Sequence, residues 1–309
     1  MYVKSFDNTV WLKNFRAVSA QNAGVRELRA EIFRQTIEIV LSGGYILDGK
    51  EVGIDKTEIT ANTEFFDTDF SLKEVECFQN TKFSVIESDC LEVAELLLKA
   101  GYHPCVLNMA SRQNPGGGVT GGAGAQEENL FRRSNLFASL YQFAGYANQY
   151  GMPKNKKQYP LDRNHGGIYS RNVTVFRSSE NSGYALLHSP FQISIVSVPA
   201  INRPELVETN GHLRIAPHLI EPVKEKMRTI LRIAGKHNHN ALVLSAFGCG
   251  AFCNPPEHVA LLFKEVFAEM EFENRFALVV FAVINDRNSY RGHNPVGNFE
   301  GFRRVFDKK

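Results

Sequence analysis

Two short apolar runs with a helical stretch between them constrain this chain most. Phe83–Ile86 is one run and Cys105–Met109 the other, and over Leu91–Ala100 the residues Val93, Ala94, Leu97 and Leu98 share one helical face. A strand, a helix and a strand at this spacing have the length of a crossover in a parallel sheet. The second strand runs into NPGGGVTGGAGAQEE, Asn114–Glu128, and a helical pattern leaves that stretch near Glu127. Open α/β sheets bind ligands outside the carboxyl ends of their strands. The glycine-rich loop therefore stands where a site is expected.

The remaining elements follow from apolar spacing. Residues 1–25 give weak signals and read as an arm or an irregular cap. Leu28, Ile32, Phe33, Ile37 and Val40 predict a helix over Arg26–Leu41 that ends at Gly43 and Gly44. Tyr45, Ile46, Val52 and Ile54 predict a hairpin around Asp48 and Gly49, and Ile59–Ser71 reads as a loop. Leu130, Phe137, Leu140, Tyr141 and Ala144 give the helix after the glycine loop one apolar face. Residues 151–167, with Lys154, Lys156 and Lys157, read as an exposed loop. Val173–Phe176, Ala185–His188 and Ile193–Pro199 are strand candidates, close enough together to imply an antiparallel pair. A helix over His218–Lys236, a strand over Ala241–Phe247, a helix from Pro256 to about Glu271, a strand over Ala277–Ile284 and a helix bearing Phe299, Phe302 and Phe306 follow. The chain shows no repeat, low-complexity segment or linker. One domain is expected, with a mixed sheet and helices on both faces.

Bulk properties exclude several classes of function. With 35 basic and 33 acidic residues the net charge is +2, so neither stable nucleic-acid binding nor a membrane partner is expected. No apolar run approaches membrane-spanning length, and the N-terminus lacks the apolar core of a secretion signal. The five cysteines include no CxxC pair; Cys249 and Cys253 are four apart with no matching Cys or His pair. No metal and no cofactor are expected, and a reducing, cytoplasmic compartment (nuclear in a eukaryote) is the default.

Within the first loop, Gly116, Gly117 and Gly118 allow backbone N–H groups to approach an anion unobstructed. The plain alternative is a flexible turn. The loop matches neither the Walker A pattern nor GxGxxG. Val119, Thr120 and Gln126 lie close by, and the last two can supply hydrogen bonds. Glu127 and Glu128 begin a helix, where acidic residues are favoured by ~0.3–1 kcal/mol whatever their function. Adjacent helical residues point about 100° apart, so the two cannot do the same job. The helix dipole would favour an ionised glutamate, whereas burial beside a ligand phosphate would favour the protonated form a general acid needs. A second loop, Ser245–Pro256, carries Gly248, Cys249, Gly250 and Ala251, and then Phe252, which either plugs the core or stacks on a nucleobase. Asn202 ends another strand, with capping as the simpler reading. Asn108 interrupts an apolar strand and must be satisfied by ligand or backbone; Ser111 follows at the strand end.

A strand running into PGGG, then seven residues and QEE, resembles the signature of the poly(ADP-ribose) glycohydrolases, of the compact microbial type. VIESDCLEVAELL, VLNMASRQNPGGGVTGGAGAQEENLFRRSNL, IYSRNVTVFR, SVPAIN and LVLSAFGCGAFCNPPEHVA carry the resemblance, with TIEIVLSGGY near the N-terminus. It implies a macrodomain, a three-layer α/β/α sandwich over residues 81–309 with a helical N-terminal extension over 1–80. The implied reaction is hydrolysis of ribose–ribose O-glycosidic bonds in poly(ADP-ribose), releasing ADP-ribose from chain ends. Carried over by motif, Glu128 is the catalytic acid and Glu127 holds a ribose hydroxyl. Gly116–Gly118 cradle the diphosphate through their N–H groups, and Gly248–Phe252 close over it with Phe252 on adenine. The implied partners are ADP-ribose, its polymer and ADP-ribosylated proteins, met by a monomer. An ADP-ribose reader and a hydrolase of single ADP-ribosyl groups are the competing functions. No pattern places residues 45–80 or 151–167.

Overall fold

The computed structural model describes residues 2–4, 7–19, 24–73 and 77–307. In the stretch read as an arm, β1 (Val3–Lys4) leads to a helix, α1 (Asn8–Ser19), anchored by buried Trp11 stacked on Phe15 at 4.8 Å. A helix with one buried side chain leaves little periodicity to read. Helix α2 (Val25–Leu41) buries Ile32, Phe33, Ile39 and Val40 and stops where Gly43 takes φ 81°. Strands β2 (Gly44–Leu47) and β3 (Lys50–Gly53) pair antiparallel through Asp48 and Gly49, both at positive φ, the tight turn whose twist suits a hairpin. The predicted loop Ile59–Ser71 instead holds the end of α3 (Thr57–Ala61) and a strand, β4 (Thr63–Phe66), each too short to show a period.

Next come β5 (Lys82–Ile86), α4 (Cys90–Lys99) and β6 (Pro104–Met109), all as expected. The Asp89 carboxylate caps α4 by accepting from the N–H groups of Leu91 (2.9 Å) and Glu92 (3.2 Å), an arrangement worth ~1 kcal/mol. The single helix predicted after the glycine loop is broken. Helix α5 (Gln126–Arg133) ends at Ser134, which is extended and bridges Val175, and α6 (Leu136–Leu140) restarts beyond it. Strand β7 (Gly167–Arg177) is followed by β8 (Leu186–Val198), which merges two predicted strands. The hairpin of β9 (Leu206–Thr209) and β10 (His212–Ile215) was not legible. Helix α7 (Pro217–Lys236), β11 (Ala241–Leu244), α8 (Pro256–Phe267), β12 (Leu278–Ala282) and α9 (Asn298–Phe306) complete the chain.

The large sheet has the order β4-β7-β8-β6-β11-β12-β5. Strands β6, β11, β12 and β5 run parallel. The link 178–185 between neighbours β7 and β8 is too short for a crossover, so that pair is antiparallel and the sheet is mixed. The predicted crossover exists, but β5 and β6 are not neighbours: β11 and β12 lie between them.

By compactness the chain falls into two units, one of Met1–Phe65, Ala110–Pro160 and Ser170–Ser194, the other of Phe66–Met109, Leu161–Tyr169 and Ile195–Lys309. In the first, α2 lies against α5, and Phe33 centres an aromatic set with Phe131, Phe137 and Tyr141 at 6.1–6.4 Å. In the second, all four residues of β11 are buried, so both faces of the sheet are covered. Leu242 and Leu244 join the core formed with Met227, Val259 and Phe263 of α7 and α8, while α4 covers β6, β11 and β12. That is the helix–sheet–helix layering expected. Among the described residues no helix is long and apolar enough to cross a membrane.

Candidate active site

The first glycine loop is built around its own two glutamates. Helix α5 starts without a side-chain cap, and Glu127 and Glu128, both buried, turn back onto the preceding loop. Glu127 Oε2 accepts from the Ser111 N–H (2.7 Å) and Oε1 from the Gly116 N–H (3.0 Å). Glu128 Oε1 accepts from the Gly118 N–H (2.9 Å). The Gly117 N–H donates to the Asn114 carbonyl (3.1 Å). All three glycine N–H groups thus have protein acceptors, which corrects the expectation that they point at a phosphate. The glycines are needed for close internal packing. At Gly117, with φ +54°, a Cβ would lie 2.6 Å from Glu128 Oε1, and at Gly116 it would lie 2.6 Å from the Phe131 ring. Gly117, Gly118 and Thr120 are exposed, Val119 is buried, and Gln126 and Ser111 are half-buried. The Ser111 hydroxyl accepts from the N–H groups of Gln113 and Asn114, fixing the turn ahead of the glycines.

One carboxylate oxygen stands apart. Glu128 Oε2 is buried and has no hydrogen-bond partner among the described residues. An unmatched buried acceptor costs roughly 1–3 kcal/mol, so such an atom marks a place where a ligand group belongs.

Behind the loop lies a polar network that the sequence did not reveal. Buried Arg132 donates to the Ala123 carbonyl (2.7 Å) and to the Tyr184 hydroxyl (2.8 Å), which donates to Glu180 (3.0 Å). Glu180 also takes a two-point contact from Arg29, at 2.6 Å to each oxygen. Hydrogen bonding to Glu180, opposed by burial and reinforced by the charges of Glu180 and Glu128 among others, raises the Arg29 pKa above its ordinary value. The Arg29 guanidinium lies where a Cβ on Gly124 would go, 2.3 Å from Nη1. These contacts span up to 151 residues of chain. The only local sign was the Arg132–Arg133 pair closing α5, on the side of the helix dipole that favours cations.

In the second unit, the loop after β11 is also self-braced. Gly248 sits at φ +74°, where a Cβ would lie 2.6 Å from Asn254 Nδ2. Buried Asn254, missed by sequence reasoning, donates to the carbonyls of Ile201 (2.8 Å), Gly248 (3.0 Å) and Phe252 (3.2 Å). The Cys249 side chain is buried with its thiol on the Phe247 carbonyl, and burial, helped by the charge of Asp286, pushes that thiol well above its ordinary value. Its side chain is structural. Phe252 is half-buried, with its ring packed on the core cluster that holds Phe247 and Phe263; Ala251 is exposed, Gly250 half-buried and Ser245 buried. Asn202 is exposed. Asn108 is buried, donates to the Ser197 hydroxyl (3.0 Å), and leaves its Oδ1 without a partner among the described residues.

Comparison with known proteins follows the same lines. The model of the microbial-type PARG catalytic domain matches residues 33–178. The poly(ADP-ribose) glycohydrolase of Thermomonospora curvata, bound to the inhibitor ADP-HPD, is 30% identical with a TM-score of 0.70, over 90% of this chain and 99% of that one. Another structure of that enzyme gives a TM-score of 0.72 over 91% and 100% of the two chains. The poly(ADP-ribose) glycohydrolase of Deinococcus radiodurans in complex with ADP-ribose is 28% identical, with a TM-score of 0.61 over 82% and 97%. No curated protein sequence matches the chain. A relative at this identity, matched almost end to end in sequence order and in fold, places the chain in the family of microbial-type poly(ADP-ribose) glycohydrolases (PARG).

Proposed function

We propose that the chain hydrolyses the ribose–ribose O-glycosidic bonds of poly(ADP-ribose) and releases ADP-ribose, with Glu128 as general acid. The observation that carries this is the Glu128 carboxylate. One oxygen is fixed by Gly118, and the other is buried with no partner among the described residues. Protonated at that second oxygen, Glu128 delivers its proton to the departing ribose oxygen as the anomeric C–O bond breaks and an oxocarbenium-like centre forms. Water then adds to the anomeric carbon, and the proton it loses restores the acid. Glu127, held at the mouth of the loop by the Ser111 and Gly116 N–H groups, accepts from a ribose hydroxyl and fixes the sugar. Gly116–Gly118 shape the wall of the site.

In the second unit, the orphaned Asn108 oxygen supports a ligand contact of its own. Exo-cleavage by a monomer in the cytoplasm, acting on ADP-ribosylated proteins, completes the proposal; none of the five cysteines being in a disulfide supports a reducing compartment. Purified protein given labelled polymer is expected to release ADP-ribose. Glu128→Gln is expected to lose ~10²–10⁴-fold in turnover while still binding ADP-ribose by calorimetry. Wild-type turnover in Glu128→Gln would remove the acid assignment, and release only from singly modified proteins would redirect the activity to mono-ADP-ribosyl groups.

A further inference from the structure

Two loops leave the same edge of the sheet in the second unit. Strands β11 and β12 are parallel neighbours, so the segments that follow them, 245–255 and 283–297, both start at the carboxyl edge where such sheets bind ligands. The later segment is anchored by buried amides. Asn294 donates to the Asn298 side chain (2.7 Å), and Asn298 donates to the Ile284 carbonyl (3.1 Å). The Asn294 N–H donates to the Arg291 carbonyl (2.7 Å). His293 is thereby held beside the glycine loop, half-buried, with Nε2 3.0 Å from the Cys249 carbonyl. A carbonyl only accepts, so Nε2 carries the proton and donates it.

That contact acts on the next N–H group. The Cys249 carbonyl and the Gly250 N–H belong to one trans peptide, which is planar, so the two point in opposite directions. A donor on the carbonyl fixes where the N–H points and, by polarising the peptide, makes it a better donor. The N–H groups of Gly250, Ala251 and Phe252 have no acceptor among the described residues. Those of Gly116–Gly118 are all engaged inside their own loop. Asp286 comes close to Gly250, where a Cβ would lie 3.3 Å from its Oδ2. Its two oxygens, however, accept from the Asn288 N–H and side-chain amide (2.9 Å each) and leave the Gly250 N–H open.

We propose that His293 is a positioning residue for substrate: by holding the Cys249 carbonyl it aims the Gly250 N–H at an oxygen of the ADP-ribose diphosphate. The imidazole acts through the peptide and makes no contact with the ligand itself. This rests on the proposed activity, and on the Gly248–Phe252 loop taking the diphosphate as the family resemblance implies.

Two substitutions test it. His293→Leu keeps the bulk and removes the donor, whereas His293→Gln places an amide nitrogen at the reach of Nε2 and keeps it. The leucine variant is expected to bind ADP-ribose and ADP each about tenfold more weakly by calorimetry, and adenosine, which has no diphosphate, as wild type does. Its KM for polymer should rise by a similar factor with kcat near wild type. The glutamine variant should recover both affinities. A merely structural strap would lower the melting temperature of the leucine variant, or prevent its folding, and leave the affinities of any folded protein unchanged. That outcome, a loss confined to kcat, an equal weakening of adenosine, or a glutamine variant no better than the leucine one would each overturn the assignment. Failure of wild-type protein to bind ADP-ribose or cleave polymer would instead overturn the proposed function, so the two failures are distinguishable.

Discussion

Changing a glutamate to glutamine at position 127 asks more of the loop than the same change at 128. Both Glu127 oxygens hold backbone N–H groups, from Ser111 and Gly116, and glutamine offers one acceptor and one donor group. One of those N–H groups must then face an NH₂. Glu127→Gln is expected to lose roughly 1–3 kcal/mol of stability and to weaken ADP-ribose binding as well, with denaturant unfolding and calorimetry as the measurements. Glu128→Gln keeps its single acceptor toward Gly118 and should unfold like wild type. Equal stability of the two variants would show that the loop does not depend on Glu127. At this scale the sequence identified both glutamates and both sets of glycines, because their types and spacing are local. It did not identify Arg29, Glu180, Tyr184 or Asn254. Each acts through a partner distant in sequence or through backbone carbonyls, and neither leaves a spacing pattern. It also misassigned what the glycines are for: Gly116 and Gly117 make room for Phe131 and Glu128 inside the loop.

Elements with a long period were legible and short ones were not. Helices α2, α4, α7 and α8, the buried strands β6, β11 and β12, and the edge strand β5 lie where apolar spacing put them. The missed pieces α3, β4, β9 and β10 have four or five residues each. The break between α5 and α6 was hidden for another reason: burial on every side gives an apolar run with no face to read. One of the unseen strands supplies a titration. The Ile215 N–H at the end of β10 donates to Nδ1 of His258 on α8 (2.8 Å), which requires that nitrogen unprotonated. Burial, with the nearby Arg214 charge added and Glu265 opposing, lowers the His258 pKa to about 4. Because the folded value lies below the ordinary one, the unfolded chain binds the proton first as pH falls. The stabilisation is complete above about pH 6.5 and is lost between there and about pH 4. Thermal melts across that window should therefore fall more steeply for wild type than for His258→Gln, which keeps an acceptor and does not titrate. Parallel slopes would refute the assignment.

For the whole molecule, the sequence excluded a metal, and the structure offers a physical test of that exclusion. Asp69, His165 and Glu225 place their ligand atoms within 4.8 Å of one another. Arg232 already donates to Asp69 (2.8 Å) and Glu225 (2.7 Å), so a fixed cation sits where a divalent ion would go. Activity and melting temperature are expected to be unchanged by a chelator; a drop in either would reopen the site. The strand order carries a different consequence, one of timing. The chain makes β5 and β6 early, yet the strands between them, β11 and β12, come from residues 241–244 and 278–282. At a ribosome, β5 emerges with both hydrogen-bonding edges empty and waits nearly two hundred residues for its one neighbour. Such long-range pairing folds slowly and leaves an exposed apolar strand in the meantime. In this layout the nascent chain's exposure to chaperones and to aggregation is governed by the arrival of Leu278–Ala282, far downstream of the residues that form the glycine loop.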